Sequence, residues 1–310
     1  MFAAAELGVF PELTHLRKAT AAMLARTLQL DTRCATLLLD ACVSLGILEK
    51  EGLSYSNSRE AETYLVPGRP LDFSDIIRAC REVYPLWMSL PEFARTGMPV
   101  NDVPCPENDP DALRARLLAQ HARRLAISRP IIRRLDLENR TKLLEVGGPG
   151  TYSMLISREC PGLHCTVLDD PEVIRIARGL IAQQNLLHVS TLAGDYLTTP
   201  FPKGNDVVLM FGALHRNRGE HIPVLIRRAA EALKAGGLLY VMDIMTDETR
   251  TMPATSALFA LNNALTGREG QIFSHVELQQ WMEHAGLQDF SVEVLPPPVS
   301  QWLARGRKRP

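Results

Sequence analysis

No apolar run in this 310-residue chain approaches the ~20 residues that a membrane-crossing helix needs. Nor does a charged and then apolar leader precede a small-residue cleavage site, so the expected location is cytosolic. No charge of one sign prevails: 34 basic and 35 acidic side chains leave a formal net charge of −1, and the totals call for neither nucleic acid nor an anionic membrane as partner. The six cysteines form no Cys-x-x-Cys pair. Cys160, His164 and Cys165 span a turn and the start of a strand, where alternating side chains diverge, so buried reduced thiols are expected rather than a metal. There is no internal repeat and no low-complexity segment, and the length suffices for one large or two medium domains with a full core.

What is present begins with helices. Apolar periodicity predicts helices over 3–10, 19–30 and 31–45, the last capped by Asp31 or Thr32. Residues 46–56 read as a short hairpin turning near Gly52, which completes a winged-helix pattern. A recognition helix needs several cationic or amide side chains on its exposed face, whereas residues 32–45 offer only Arg33. This helix suits packing against another subunit or domain. A helical pattern over 71–95 carries Tyr84, Trp87, Met88 and Phe93, either core or the wall of a pocket for a flat molecule. Four prolines mark 97–110 as a connector, and 111–135 reads as an arginine-rich, solvated helix with a break or kink at Pro130.

From Thr141 onward strands alternate with helices, the pattern of a parallel sheet covered on both faces. The expected strands are 142–146, 164–168, 188–193, 206–211 and 237–243, followed by two antiparallel strands over 289–295 and 300–307. In such sheets ligands lie beyond the carboxyl ends of the strands. Five successive ends bring Gly147 to Gly150, then Asp169, then Gly194, Asp195 and Tyr196, then His215, then Asp243 to one rim.

The glycine turn breaks a buried strand, and Asp169 follows Gly147 by 22 positions, where an acid can accept two ribose hydroxyls. A nicotinamide dinucleotide is the rival ligand. Its Gly-x-Gly-x-x-Gly pattern fails in both registers, at Pro149 and Tyr152 or at Ser153. Glu145 would also repel a pyrophosphate, whereas S-adenosylmethionine, cationic and without phosphate, suits these acids. Asp195 is placed to accept from an adenine amino group and Tyr196 to lie against the ring. Methyl transfer from a sulfonium requires alignment and removal of the acceptor's proton. An imidazole suits a phenol in that role, which makes His215 the candidate base and Asp243 the residue that sets its tautomer.

These residues resemble the S-adenosylmethionine-dependent O-methyltransferases that include the plant caffeate and acetylserotonin enzymes and many bacterial natural-product enzymes. The likeness runs through residues 5–10, 39–48, 144–150, 167–169, 194–196, 213–215, 235–237 and 285–287. It implies a Rossmann-like methyltransferase domain over 141–310, its parallel sheet ending in an antiparallel strand. Before it come a mostly helical, winged-helix-like dimerisation domain over 1–100 and a connector with a linking helix over 101–140. It further implies a homodimer, a small-molecule acceptor, His215 as base with Asp243 beside it, and donor contacts from Glu145, Gly147, Gly148, Asp169, Gly194, Asp195 and Tyr196. The family's usual Asp-Trp after the histidine is Arg216-Asn217 here, Glu269 is the nearest candidate for a second acid, and the chain starts at what resembles the family's second helix. Some relatives methylate carbon or nitrogen, and a catalytically silent or regulatory winged-helix protein is the reading from another class.

Overall fold

The computed structural model describes residues 1–69, 71–74, 77, 81, 85–98, 110–266, 270–296, 299 and 301–310. The chain divides into two compact units, Met1–Pro85 with Leu118–Ala126, and Leu86–Leu117 with Ile127–Pro310.

The first unit holds α1 (Phe2–Glu6), α2 (Val9–Leu16), β1 (Ala19–Thr20), α3 (Ala21–Thr27), α4 (Thr32–Ser44), β2 (Leu48–Glu51), β3 (Ser54–Asn57) and α5 (Arg59–Tyr64). The single helix expected over 3–10 is two, because Gly8 adopts φ +75° and redirects the chain between them. The next helix is shorter than expected at both ends. Residues 19 and 20 pair with β3 instead, and the Thr20 hydroxyl caps α3 by accepting from Met23 N at 3.3 Å. Asp31 caps α4, as the sequence suggested, by accepting from Cys34 N at 2.8 Å. The hairpin forms across Gly52, and the three strands lie in the order β1-β3-β2. Phe10, Leu13, Leu24, Leu39, Cys42 and Tyr55 close its core.

Next in the chain are α6 (Leu90–Thr96) and α7 (Pro110–Ile132). Most of the segment expected as helix over 71–85, including Tyr84, and most of the proline-rich connector lie outside the described residues. Helix α7 runs through Pro130 and ends two residues later, so no break occurs there. A proline this near a helix end forgoes one internal hydrogen bond and no more. Arg114, Arg123, Arg129, Arg133 and Arg134 are exposed on it or just beyond its end, while Leu113, Leu117, Ile127 and Ile131 are buried.

The second unit is built on β4 (Lys142–Val146), α8 (Thr151–Glu159), β5 (His164–Asp169), α9 (Pro171–Gln183), β6 (Val189–Ala193), β7 (Asn205–Phe211), α10 (His221–Ala232) and β8 (Leu233–Asp243). It continues through β9 (Met245–Thr246), α11 (Ala254–Leu265), β10 (Phe273–Ser274), α12 (His275–His284), β11 (Leu287–Val294) and β12 (Trp302–Lys308). Seven strands form one sheet in the order β11-β12-β8-β7-β4-β5-β6. Strands β4 to β8 are parallel, and β12 runs antiparallel to both β8 and β11. Strand β8 begins four residues earlier than expected because the Ala235-Gly236-Gly237 kink is a bulge within it. Asn205 faces Leu233 but Val207 already faces Leu238. The short parallel pair β9 and β10 had no sequence signal beyond two residues each. Among the described residues no helix is long and apolar enough to cross a membrane.

The central strands β4 and β7 are almost wholly apolar and buried on both faces. Leu144, Val146, Val208, Met210, Leu239 and Val241 meet Ile222, Leu225, Ile226 and Ala229 of α10 and Leu278 and Met282 of α12. Order turns around at β4: β5 and β6 lie to one side, β7 and β8 to the other. The carboxyl ends of the strands at such a reversal leave a crevice.

Candidate active site

The turn after β4 is made by handedness and by space. Gly147, Gly148 and Gly150 have φ of +90°, +106° and +78°, a region that L side chains rarely adopt. A Cβ on Gly147 would lie 2.8 Å from Ala213 Cβ, and one on Gly150 would lie 2.9 Å from Val167 Cγ2. Two of the glycines are therefore already required by packing, before any ligand approaches. Asp169, buried at the end of β5, accepts from Gly148 N at 2.5 Å through Oδ2 and from Asp170 N at 2.7 Å through Oδ1. The carboxylate and the turn thus fix each other. Glu145 is fully buried beneath the turn and accepts from Ser153 N at 2.7 Å, which anchors the first turn of α8.

Beyond β6 the rim is organised differently. Gly194 cannot carry a Cβ, which would meet Thr199 Oγ1 at 2.1 Å. The Asp195 carboxylate closes the following loop, accepting from Leu197 N at 2.8 Å and from Thr198 Oγ1 at 3.3 Å. Arg228 of α10 donates to the carbonyls of Leu197 and Thr199 and lies over the Phe201 ring, pulling the loop back across the sheet. Tyr196 therefore packs against the core; burial pushes its phenol pKa up, against the opposing pull of Arg216. This brings the loops after β6 and β7 together although the strands are not neighbours.

Past β7, residues 214–216 make one turn of 3₁₀ helix. Asp243, at the end of β8 and fully buried, accepts four hydrogen bonds. Oδ2 takes those of Leu214 N (3.0 Å) and His215 N (3.2 Å), and Oδ1 takes those of Ile244 N (2.8 Å) and the His215 ring at Nδ1 (2.5 Å). The pairing orients the imidazole and leaves Nε2, which meets no donor or acceptor among the described residues. The His215 side chain keeps 17% of its surface exposed, so a ligand can reach it. The Phe259 ring of α11 stands edge-on to the imidazole with centroids 5.6 Å apart.

Sequence reasoning missed how the histidine's turn is clamped. Asn217 Nδ2 donates to Ala213 O at 2.7 Å, and Asn217 O accepts from Gln271 N at 3.0 Å. A Cβ on Gly270 would fall 2.2 Å from His215 O. The only sequence signal was Gly270 itself, since a buried asparagine amide has no pattern. Of the residues read as core or pocket wall, Trp87 donates from Nε1 to Asn262 Oδ1 at 3.2 Å, and Met88 is 83% exposed. Glu269 lies outside the described residues.

The donor set discriminates between ligands. Residues 143–157 include no lysine or arginine, while the Asp169 carboxylate is held against the turn at Gly148 N with Asp170 next to it in the chain. With acids about it and no basic residue within it, the turn would oppose a pyrophosphate and favour a cationic ligand with hydroxyls to donate. S-adenosylmethionine fits that description.

Residues 96–288 match the model of the O-methyltransferase domain, and residues 1–67 that of the O-methyltransferase dimerisation domain. The 3-hydroxy-5-methyl-1-naphthoate 3-O-methyltransferase of Streptomyces sahachiroi is 30% identical over 99% of this chain and 90% of its own length. The tetracenomycin polyketide synthesis 8-O-methyl transferase TcmO of Streptomyces glaucescens is 32% identical over 89% of this chain and 83% of its own. Human N-acetylserotonin methyltransferase, solved in complex with SAM, shares the fold at a TM-score of 0.83, with 24% identity over 100% of this chain and 93% of that one.

Proposed function

The chain belongs to the S-adenosylmethionine-dependent O-methyltransferase family, and from that premise we propose that it methylates a hydroxyl of a small aromatic molecule with His215 as general base. The observation that carries this reading is the His215–Asp243 pair at 2.5 Å on adjoining strand ends, with Nε2 left to a ligand. The names of the two Streptomyces relatives give a hydroxynaphthoate for one and a polyketide for the other, which supports an acceptor of aromatic type.

S-adenosylmethionine, when bound, supplies a sulfonium methyl that needs no further activation. The chain's own residues bind, orient and move one proton. Each oxygen of the Asp169 carboxylate carries more than one lone pair, so besides holding the turn it is suited to accept the ribose hydroxyls. Asp195 and Tyr196 frame the place for the adenine, and the Gly147–Gly150 turn supplies backbone close to the donor. Glu145 acts one layer below, by holding α8 under that turn. A phenol of pKa about 10 is mostly protonated at neutral pH. Asp243 keeps the proton on Nδ1, so the Nε2 lone pair faces the acceptor and takes its proton as the bond to carbon forms. The imidazolium so created sits against a buried carboxylate, which stabilises it.

The domain organisation we propose is a dimerisation domain over 1–100, a connector over 101–140 and the methyltransferase domain over 141–310, working as a homodimer; the match of residues 1–67 to the dimerisation domain supports it. The test is purified protein with labelled donor and a panel of phenols, quinones and amines, alongside His215→Ala. Methyl transfer to phenols in the parent, lost in the variant while adenosylhomocysteine still binds, is the expected result. Unchanged turnover in His215→Ala removes the base and favours an acceptor that is nucleophilic already.

A further inference from the structure

Helix α11 buries two polar side chains on its inward side. In a helix that packs on a core, the buried stripe is aliphatic and the polar residues face water. Here Ser256 and Asn263 are buried with the part-buried Phe259 and Ala260 between them, three and four residues apart, and Leu265 is buried at the end of the helix, while Leu258 on the opposite side is 55% exposed. Ser256 and Asn263 are 2% and 3% exposed. Among the described residues neither side chain has a hydrogen-bond partner, yet their polar atoms are not fully enclosed, which leaves each to water or a ligand. The neighbouring Asn262 is different, since its Oδ1 accepts from Trp87 Nε1. Between the two unpartnered groups stands Phe259, whose ring meets the His215 imidazole.

We infer that Asn263, with Ser256 beside it, binds a second polar group of the acceptor, so that the substrate is an aromatic hydroxyl carrying another oxygen about one ring-width away. The inference rests on the reading of His215 as the acceptor-facing base. Phe259 and Asn263 are one turn apart on the same face, about 6 Å along the helix axis, so the amide stands roughly a ring's span from the wall beside the imidazole. An amide both donates and accepts, so it suits a carbonyl or a hydroxyl. An acceptor without that oxygen would cover the amide and leave it unpaired in the complex.

The test compares 2-naphthol with 2,3-, 2,6- and 2,7-dihydroxynaphthalene, in the parent and in Asn263→Leu, by calorimetric binding in the presence of adenosylhomocysteine and by turnover. The parent is expected to bind at least one diol about ten-fold more tightly than 2-naphthol, the worth of one buried hydrogen bond. Asn263→Leu is expected to erase that preference through KM, so that the diols and 2-naphthol bind within about two-fold of one another. Its Tm should stay close to the parent's, because the Asn263 side chain makes no hydrogen bond among the described residues and leucine is of similar size. A preference that survives the substitution overturns the inference, as does failure of every naphthol to bind or a marked loss of Tm, which would make Asn263 structural. Failure of adenosylhomocysteine to bind the parent would instead remove the donor site and take this inference with it.

Discussion

Replacing Asp243 by asparagine changes one atom of the proposed base pair, and the hydrogen bonds around it define what must follow. The carboxylate accepts from four N–H donors, two on each oxygen. An asparagine has one oxygen and one NH2, so one pair of donors loses its acceptor. If the amide NH2 faces the main chain, both Leu214 N and His215 N meet a donor. If it faces the ring, only Ile244 N is left unpaired, because the imidazole can shift its proton to Nε2 and accept at Nδ1. The second arrangement leaves one fewer buried donor unsatisfied, a difference of about 1–3 kcal/mol, or roughly 5- to 150-fold in population. It is also the tautomer that cannot take a proton at Nε2. Adding the lost stabilisation of the imidazolium by a carboxylate, we expect turnover to fall by about 10²–10⁴-fold. The adenosylhomocysteine dissociation constant should change by no more than about three-fold, since Asp169 and Asp195 are untouched. Steady-state turnover on the phenol found active, with calorimetry and a melting curve on the same sample, measures all three quantities. A variant that keeps turnover within about three-fold of the parent refutes the tautomer argument and the base with it.

Asp169→Asn should weaken adenosylhomocysteine about 10- to 100-fold, the loss of charge-assisted hydrogen bonds; calorimetry showing less than a two-fold change would move the ribose elsewhere. Gly147→Ala places a Cβ against Ala213 at φ +90° and should cost about 2–4 kcal/mol, visible as a lower Tm, whereas Gly179→Ala, inside α9 with open space around it, should be neutral or stabilising. Asp206 is buried, and burial alone would raise its pKa; the Lys234 ammonium and the amides of Thr141 and Lys142 outweigh this and hold it at about 2. Its folded pKa is depressed, so its contribution of about 2 kcal/mol is complete above pH ~4 and lost as pH falls toward ~2; Asp206→Asn should flatten the stability profile in that window, and an unchanged acid limb would contradict the network.

The sheet was legible because its strands are short apolar runs ending in polar residues, and the five carboxyl ends could be written down from sequence. Capping chemistry located α4 for the same reason, since Asp31 has one favourable use there. Non-local effects were not legible. The pairing of residues 19 and 20 with β3 cut the expected helix short, and the bulge at Gly236 lengthened β8; each depends on a partner strand far off in sequence. Within the candidate site the residue types and their order could be read, but their hydrogen-bond partners in the protein could not: Glu145 anchors a helix, Asp195 closes its own loop and Tyr196 packs inward beside a loop that Arg228 pins. A side chain's hydrogen-bond partner is set by the three-dimensional path of the loop, which periodicity does not encode.

The reversal of strand order at β4 divides the work along the gene as well as across the sheet. Every group we assign to the donor precedes Pro200, and every group we assign to the acceptor follows Asn205. A single recombination event within that short interval would separate the groups we propose for the acceptor from those we propose for the donor.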